Sequence, residues 1–171
     1  MNRRVIGITG WKNSGKTTLT ERLVAEFVAR GLRVSTVKHA HHAFDIDQPG
    51  TDSFRHRAAG AGEVAIVSGN RWALMHELRE ESEPSLDEVL ARLSPCDLVI
   101  VEGYKREAHL KIETRRRGAK DTQPLSVDDP NIVAVASDHP LPGETLPVFP
   151  IDDIAAMADF IMSRLGLHST T

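Results

Sequence analysis

Gly10-Trp11-Lys12-Asn13-Ser14-Gly15-Lys16-Thr17, set directly after the apolar run Val5-Ile6-Gly7-Ile8, decides how this chain is read. The stretch has the G-x-x-x-x-G-K-[ST] form of a phosphate-binding loop, which joins a strand to a helix. In such a loop successive backbone N–H groups turn inward around an anion, and a side chain at Gly10 or Gly15 would obstruct that approach. Lys16 supplies a mobile positive charge for the β- and γ-phosphates of a nucleotide, and Thr17 offers a hydroxyl to Mg²⁺. The helix beginning near Gly15 points its positive dipole end at the same phosphates. Leu19, Leu23, Phe27 and Val28 recur at helical spacing, and Gly31 is placed to close that helix, so the structural context the motif needs is predicted as well. We therefore expect a nucleotide to bind at Gly10, Trp11, Lys12, Asn13, Ser14, Gly15, Lys16, Thr17 and Thr18.

Working outward, the β-branched run at residues 34–37 predicts a second strand, and strand, helix, strand implies a crossover within a parallel sheet. Residues 39–51 are polar and end in Gln48-Pro49-Gly50, a loop at the carboxyl end of that strand, where ligands bind in such sheets. Thr51 or Asp52 caps a short helix through Ala59, ended by Gly60. Residues 63–68 and 72–76 flank Gly69-Asn70 and predict a hairpin added to the parallel sheet. Ser85-Leu86-Asp87-Glu88 is a capping box that opens a helix to about residue 93. Residues 98–101 are wholly apolar, as a strand buried on both faces requires. Strands at 110–114 and 132–136 and a final helix over 152–165 complete the pattern, with 115–130 expected as a long mobile loop. The fold class is α/β: a P-loop NTPase with a mostly parallel sheet flanked by helices and an added β-hairpin. No linker or repeat interrupts it, so residues 1–171 are expected to form a single P-loop nucleotide-binding domain.

With 171 residues the chain is long enough to bury a core without disulfides, and its single cysteine, Cys96, excludes an intramolecular one. A formal net charge of −3 argues against a nucleic-acid partner. No apolar run is long enough to span a bilayer and no room for a signal peptide precedes the loop, so a cytoplasmic protein without membrane contact is expected.

A P-loop site also needs an acidic residue at the end of a central strand to hold Mg²⁺ or its waters, and Asp97-Leu98-Val99-Ile100-Val101-Glu102-Gly103 offers Glu102. Glu is longer than the usual Asp, which favours contact through water. Gly103 lets the backbone pass near the γ-phosphate.

Several further stretches stand in one order with these: Val37-Lys38-His39-Ala40-His41-His42, Asp45-Ile46-Asp47-Gln48-Pro49-Gly50-Thr51-Asp52-Ser53, Ala59-Gly60-Ala61, Arg71-Trp72-Ala73-Leu74-Met75, Val101-Glu102-Gly103-Tyr104-Lys105 and Ala134-Val135-Ala136-Ser137-Asp138. Together with Gly10 to Thr18 they resemble the MobB family, adapter proteins of molybdopterin-guanine dinucleotide biosynthesis. The resemblance runs over most of the chain. It implies a homodimer that binds GTP and Mg²⁺, hydrolyses GTP weakly, and assists the guanylyltransferase that attaches GMP to molybdopterin, with molybdopterin itself a further candidate contact. Where the family carries Lys in its Pro-Gly-Lys-Asp-Ser element this chain has Thr51, so a phosphate or partner contact made by that Lys does not carry over.

The remaining features admit two readings each. Asp45, Asp47 and Asp52 offer carboxylates for Mg²⁺ waters or an attacking water, Asp47 being assigned with Lys16 and Glu102 to the catalytic set; helix capping is the alternative for Asp52. Lys38, His39, His41 and His42 suit phosphate or pterin contact, or a solvated loop; a transition-metal site lacks a supporting cysteine. Lys12 reaches phosphate or water. Asp138, after Ser137, could accept the paired N1 and N2 donors of guanine, or belong to a turn. Arg115-Arg116-Arg117 could clamp an anionic pterin phosphate or stay solvated. Trp72 suits an interface or hairpin packing. Two other functions stay in view: a small-molecule kinase with residues 115–130 as a lid, and a metal-delivery GTPase using the histidines.

Overall fold

β1 (Val5–Gly10) is the strand the loop motif demands, with Ile6 through Gly10 buried, and α1 (Lys16–Ala29) follows the loop at once. Leu19, Leu23 and Phe27, spaced along one stripe of α1, are the apolar residues it buries. The helix ends where Gly31 was expected to end it. The Gly31 and Leu32 N–H groups donate back to the Val28 and Phe27 carbonyls, the two bonds of a Schellman cap.

The computed structural model describes residues 4–40 and 44–168, and contacts divide the chain into two compact units, Met1–His39 with Val89–Thr171 and Ala40–Glu88. The first unit holds a six-stranded sheet. Its strands are β1, β2 (Val34–Lys38), β5 (Leu98–Glu102), β6 (Lys111–Arg115), β7 (Ile132–Ser137) and β8 (Val148–Pro150), in the order β2-β5-β1-β6-β7-β8. Every neighbouring pair is parallel. β8 escaped the sequence reading because a three-residue run has no period to detect. The chain passes from β1 to β2 on one side and from β5 to β6 across β1, so the strand order reverses at β1. Register sets Ile8 beside both Glu102 and Ile112. The carboxyl end of β1, which feeds the phosphate loop, is thus flanked by the ends of β5 and β6, the crevice where α/β sheets bind ligands.

One face of this sheet is apolar. Ile6, Ile8, Ile100, Ile112, Ala134 and Ala136 form a core with Leu23 and Phe27 of α1 and with Met157 and Ile161 of α4 (Ile154–Leu165). Asp153 caps α4 by accepting the Ala156 N–H at 3.2 Å, and Arg30, the residue directly after α1, ion-pairs with Asp159 of α4.

The opposite face of β6 carries Lys111, Glu113 and Arg115, of which the first two are fully buried. Lys111 ion-pairs with Asp129 at 2.8 Å. The Glu113 carboxylate accepts the Arg115 guanidinium at 2.7 Å and the N–H groups of Leu125 and Ser126 at 2.9 and 3.2 Å, while Arg115 also reaches Glu144 at 2.5 Å. These contacts correct the expected mobile loop at 115–130: Arg115 ends β6, Leu125–Val127 is a 3-10 turn, and the buried charges tie the segment to the sheet. A loop without periodicity was inferred to be free because its partners lie on β6, not within the loop.

The second unit contains α2 (Asp52–Ala58) and an antiparallel hairpin, β3 (Glu63–Val67) with β4 (Trp72–His76). Thr51 caps α2 by accepting the Phe54 N–H. The hairpin forms a two-stranded sheet of its own and is not an addition to the parallel sheet. The Ser85–Glu88 capping box forms as expected, with each residue's backbone N–H bonded to the other's side chain, at the start of α3 (Leu86–Arg92).

Candidate functional site

The loop between β1 and α1 is built around its two glycines. Gly10 has φ +147°, and a β-carbon there would overlap Thr114 and Ser14; Gly15 has φ +91°, and a β-carbon there would stand 2.9 Å from Arg116 Cδ. Both positions combine a backbone conformation that side chains disfavour with a close neighbour. Ser14 Oγ and Thr114 Oγ1 lie 2.6 Å apart, and Thr114 also donates to the Thr9 carbonyl, so β6 braces the loop from beneath. Lys16 Nζ donates to the carbonyls of Gly10 and Trp11 at 3.1 and 2.8 Å, which holds the ammonium at the loop. Partial burial lowers its pKa, opposed by the Glu102 carboxylate and reinforced by Lys105 and Lys38. A cation kept short of full hydration is well prepared to exchange those carbonyls for phosphate oxygens.

Thr17 and Glu102 come together. Thr17 Oγ1 donates to Glu102 Oε1 at 3.0 Å, and Lys38 Nζ lies 3.5 Å from the same oxygen. A hydroxyl and a carboxylate side by side at a phosphate cradle are the hard oxygen donors that Mg²⁺ takes, so these residues fit that ion. Gly103, φ +95°, lets the chain turn against His39, whose Cβ would meet a Gly103 side chain at 3.0 Å; His39 packs on Tyr104 with ring centroids 4.8 Å apart.

The other flank of β1 holds a cavity of about 750 Å³ lined by Trp11, Thr114, Arg116, Pro124, His139 and Leu141, among others. Trp11 forms one wall: its indole N–H donates to the Gln123 carbonyl at 2.7 Å, and Lys105 Nζ sits 4.5 Å from its ring centroid. The Lys12 carbonyl accepts the Lys120 N–H. Ser137 is buried in a turn with His139, donating to the His139 carbonyl at 2.8 Å and accepting its N–H at 3.2 Å. Asp138 Oδ1 takes the His139 ring at 2.7 Å and the Arg117 N–H at 3.1 Å, while Oδ2 faces Arg116 at 3.5 Å. The His139 bond, outweighing partial burial, holds the Asp138 carboxyl below its usual range. Both residues therefore belong to a turn at the cavity edge.

Asp47 lies in the second unit. Its Oδ1 accepts Thr51 Oγ1, Ser53 Oγ and the Gln48 N–H at 2.8 to 3.0 Å, and Oδ2 lies 3.5 Å from Arg57 Nε. Burial resists ionisation, but these bonds keep its carboxyl low, and they give Asp47 the task of pinning the turn before α2. His41 and His42 lie outside the described residues. Among the described residues, no group of three or more His, Cys, Asp and Glu could hold a metal ion, and no helix is long and apolar enough to cross a membrane.

Thr114 was missed as a member of the site, and of the three arginines named as a candidate clamp it is Arg116 that lies against the loop. The alternation of charged and uncharged residues at 111–115 was a usable signal for a strand with a polar face, but not for where that face ends.

Residues 5–138 match the family described as "Molybdopterin guanine dinucleotide synthesis protein B", MobB. The molybdopterin-guanine dinucleotide biosynthesis adapter protein of Escherichia coli is 39% identical over 160 residues, covering 92% of this chain and 91% of that protein. Its counterpart from Haemophilus influenzae is 40% identical over 169 residues, covering 96% and 92%. The crystal structure of a MobB protein homolog from Bacillus stearothermophilus superimposes with a TM-score of 0.70 at 32% identity, covering 95% of this chain and 97% of that one. A phosphate loop on a six-stranded parallel sheet, an antiparallel hairpin, and likeness along almost the whole length lead to one conclusion: the chain belongs to the MobB family.

Proposed function

We propose that this chain is an adapter in molybdopterin guanine dinucleotide biosynthesis that binds GTP with Mg²⁺ at Gly10–Thr18 and acts with the guanylyltransferase. The observation that carries the nucleotide part is the Thr17–Glu102 pair beside the Lys16 ammonium, at the mouth of a loop whose two glycines hold positive-φ turns. Thr17 and Glu102 would hold Mg²⁺, which supplies neutralisation of phosphate charge when bound. Lys16 holds the terminal phosphates, and Glu102 keeps Thr17 oriented and draws Lys38 to the same corner. The reading includes weak GTP hydrolysis, with Lys16, Glu102 and Asp47 as its catalytic set. The cavity lies on the flank away from Glu102, which suits a nucleoside better than an acceptor for the terminal phosphate, and this disfavours a small-molecule kinase. Asp138 at the cavity edge is the group we assign to guanine N1 and N2.

The partner surface is assigned to the hairpin. Cross-strand pairing places Val67 with Trp72 and Ala65 with Leu74 on one face, and Trp72 is 70% exposed. A contiguous exposed apolar face of this kind marks a protein contact, and Trp is the residue type that most often anchors one. We assign it to the homodimer and to docking of the guanylyltransferase. The test combines the purified chain, guanylyltransferase, molybdopterin-loaded acceptor and limiting GTP, and compares cofactor yield with and without the chain. A raised yield that falls with Trp72→Ala is expected. No complex by sedimentation and no change in yield would overturn the adapter reading.

A further inference from the structure

Three consecutive arginines follow one another in the sequence, and the fold gives each a different environment. Arg115 is buried between Glu113 and Glu144. Arg117 contributes its backbone N–H to Asp138 and leaves its side chain exposed. Arg116 lies across the phosphate loop: Cδ and Nη1 stand 2.9 and 3.5 Å from the position a Gly15 β-carbon would take, and Nε is 3.5 Å from Asp138 Oδ2. Its side chain is 46% exposed and lines the 750 Å³ cavity.

Sheet order sets the direction of a nucleotide held here. Glu102 ends β5 on one side of β1, whereas Arg116 and Asp138 follow β6 and β7 on the other. The end of a phosphate chain next to Thr17 and Glu102 is the metal-bound end, so the flank of Arg116 is the end nearest the nucleoside. We propose that Arg116 binds the non-terminal phosphates of the nucleotide, exchanging the Asp138 carboxylate for them. The proposal rests on the reading of Gly10–Thr18 as a nucleotide site and adds a residue to it. A guanidinium fork matches two phosphate oxygens at once, which an ammonium does not. The Arg116–Asp138 pair is long and exposed, and pairs of that kind are weak, so the exchange costs little. The bare Gly15 α-carbon is what allows the arginine to lie this close to the loop.

Calorimetry with inorganic pyrophosphate, Mg·GDP and Mg·GTP tests this. Pyrophosphate has no base, so it isolates phosphate contact from any role of Asp138 toward guanine. Arg116→Ala should raise Kd for all three ligands by a common factor of about ten or more, Arg116→Lys should recover part of it, and Arg117→Ala should stay within about two-fold. Asp138→Asn, which frees Arg116 of its competitor, should tighten pyrophosphate. Arg116→Ala that retains its circular dichroism and still binds pyrophosphate and GDP as the wild type does would overturn the proposal. A loss confined to GTP would overturn it too, because it places the arginine at the terminal phosphate. Wild-type protein that binds none of the three would instead remove the nucleotide reading, and the Arg116 assignment with it.

Discussion

Replacing Glu113 by Gln removes one charge from a fully buried cluster, and the bonds it breaks set the size of the effect. The carboxylate accepts Arg115 Nη2 at 2.7 Å and the Leu125 and Ser126 N–H groups at 2.9 and 3.2 Å. Gln keeps the shape but turns an NH₂ donor toward at least one of the three donors and leaves Arg115 with a single carboxylate, Glu144 at 2.5 Å. Breaking one side of a buried pair costs about 3–5 kcal/mol, and because Glu144 remains we expect the lower end, near 3 kcal/mol. For a chain of this length that is a fall in Tm of about 6–12 °C. Asp152→Asn, which breaks an Arg22 pair whose carboxylate is mostly exposed, should change stability by less than about 1 kcal/mol. Urea unfolding at neutral pH followed by circular dichroism measures both, and a cycle with Arg115→Gln isolates the coupling. A Glu113→Gln loss no larger than that of Asp152→Asn, or no coupling to Arg115, would refute the account of residues 116–131 as a segment held by buried charge. The cluster also carries a pH signature. Burial opposes ionisation of Glu144, but the Leu146 N–H and Arg115 outweigh it and hold the carboxyl below its ordinary 4.5. Its contribution is therefore present above pH 4.5 and lost as pH falls through the lower folded value.

Lys16→Ala should abolish most Mg·GTP binding in calorimetry while thermal unfolding stays near wild type, since the ammonium bonds only to loop carbonyls; unchanged affinity would remove the site assignment. Glu102→Gln should retain nucleotide binding yet lose most Mg²⁺-dependent hydrolysis in a phosphate-release assay, because shape is kept and charge is lost; normal turnover refutes its role. His76 sits between Glu63 and Glu81, whose hydrogen bonds raise its pKa above 6.5. The stability it lends the second unit is present below pH 6.5 and lost as pH rises through the raised value, and an NMR titration with a midpoint at or below 6.5 would contradict that.

What the sequence alone determined is what local rules write. The phosphate loop, the Gly31 and Gly60 helix ends, the Ser85–Glu88 capping box and the apolar strand before Glu102 each involve residues a few positions apart, so their physics is complete within a short window. The pairing of Thr17 with Glu102 was also legible, because the loop motif and the apolar strand before Glu102 each place one of them at the same end of the sheet. Tertiary structure alone decided the rest. The sequence predicts a strand at 110–114 and a mobile loop from 115, and only the segment that covers β6 makes Lys111, Glu113 and Arg115 a buried network. Arg115, Arg116 and Arg117 are chemically identical neighbours that successive directions along the chain send to a buried ion cluster, to the phosphate loop and to solvent. Asp47 offers a carboxylate by residue type, and that its bonds to Thr51 and Ser53 also pin a turn is shown only by the structure. Charge tells what a side chain can bind, and burial with orientation tells what it does bind. Those two quantities are set by which segments the fold brings together, as where Ser14 meets Thr114 one hundred positions away, which no local pattern records.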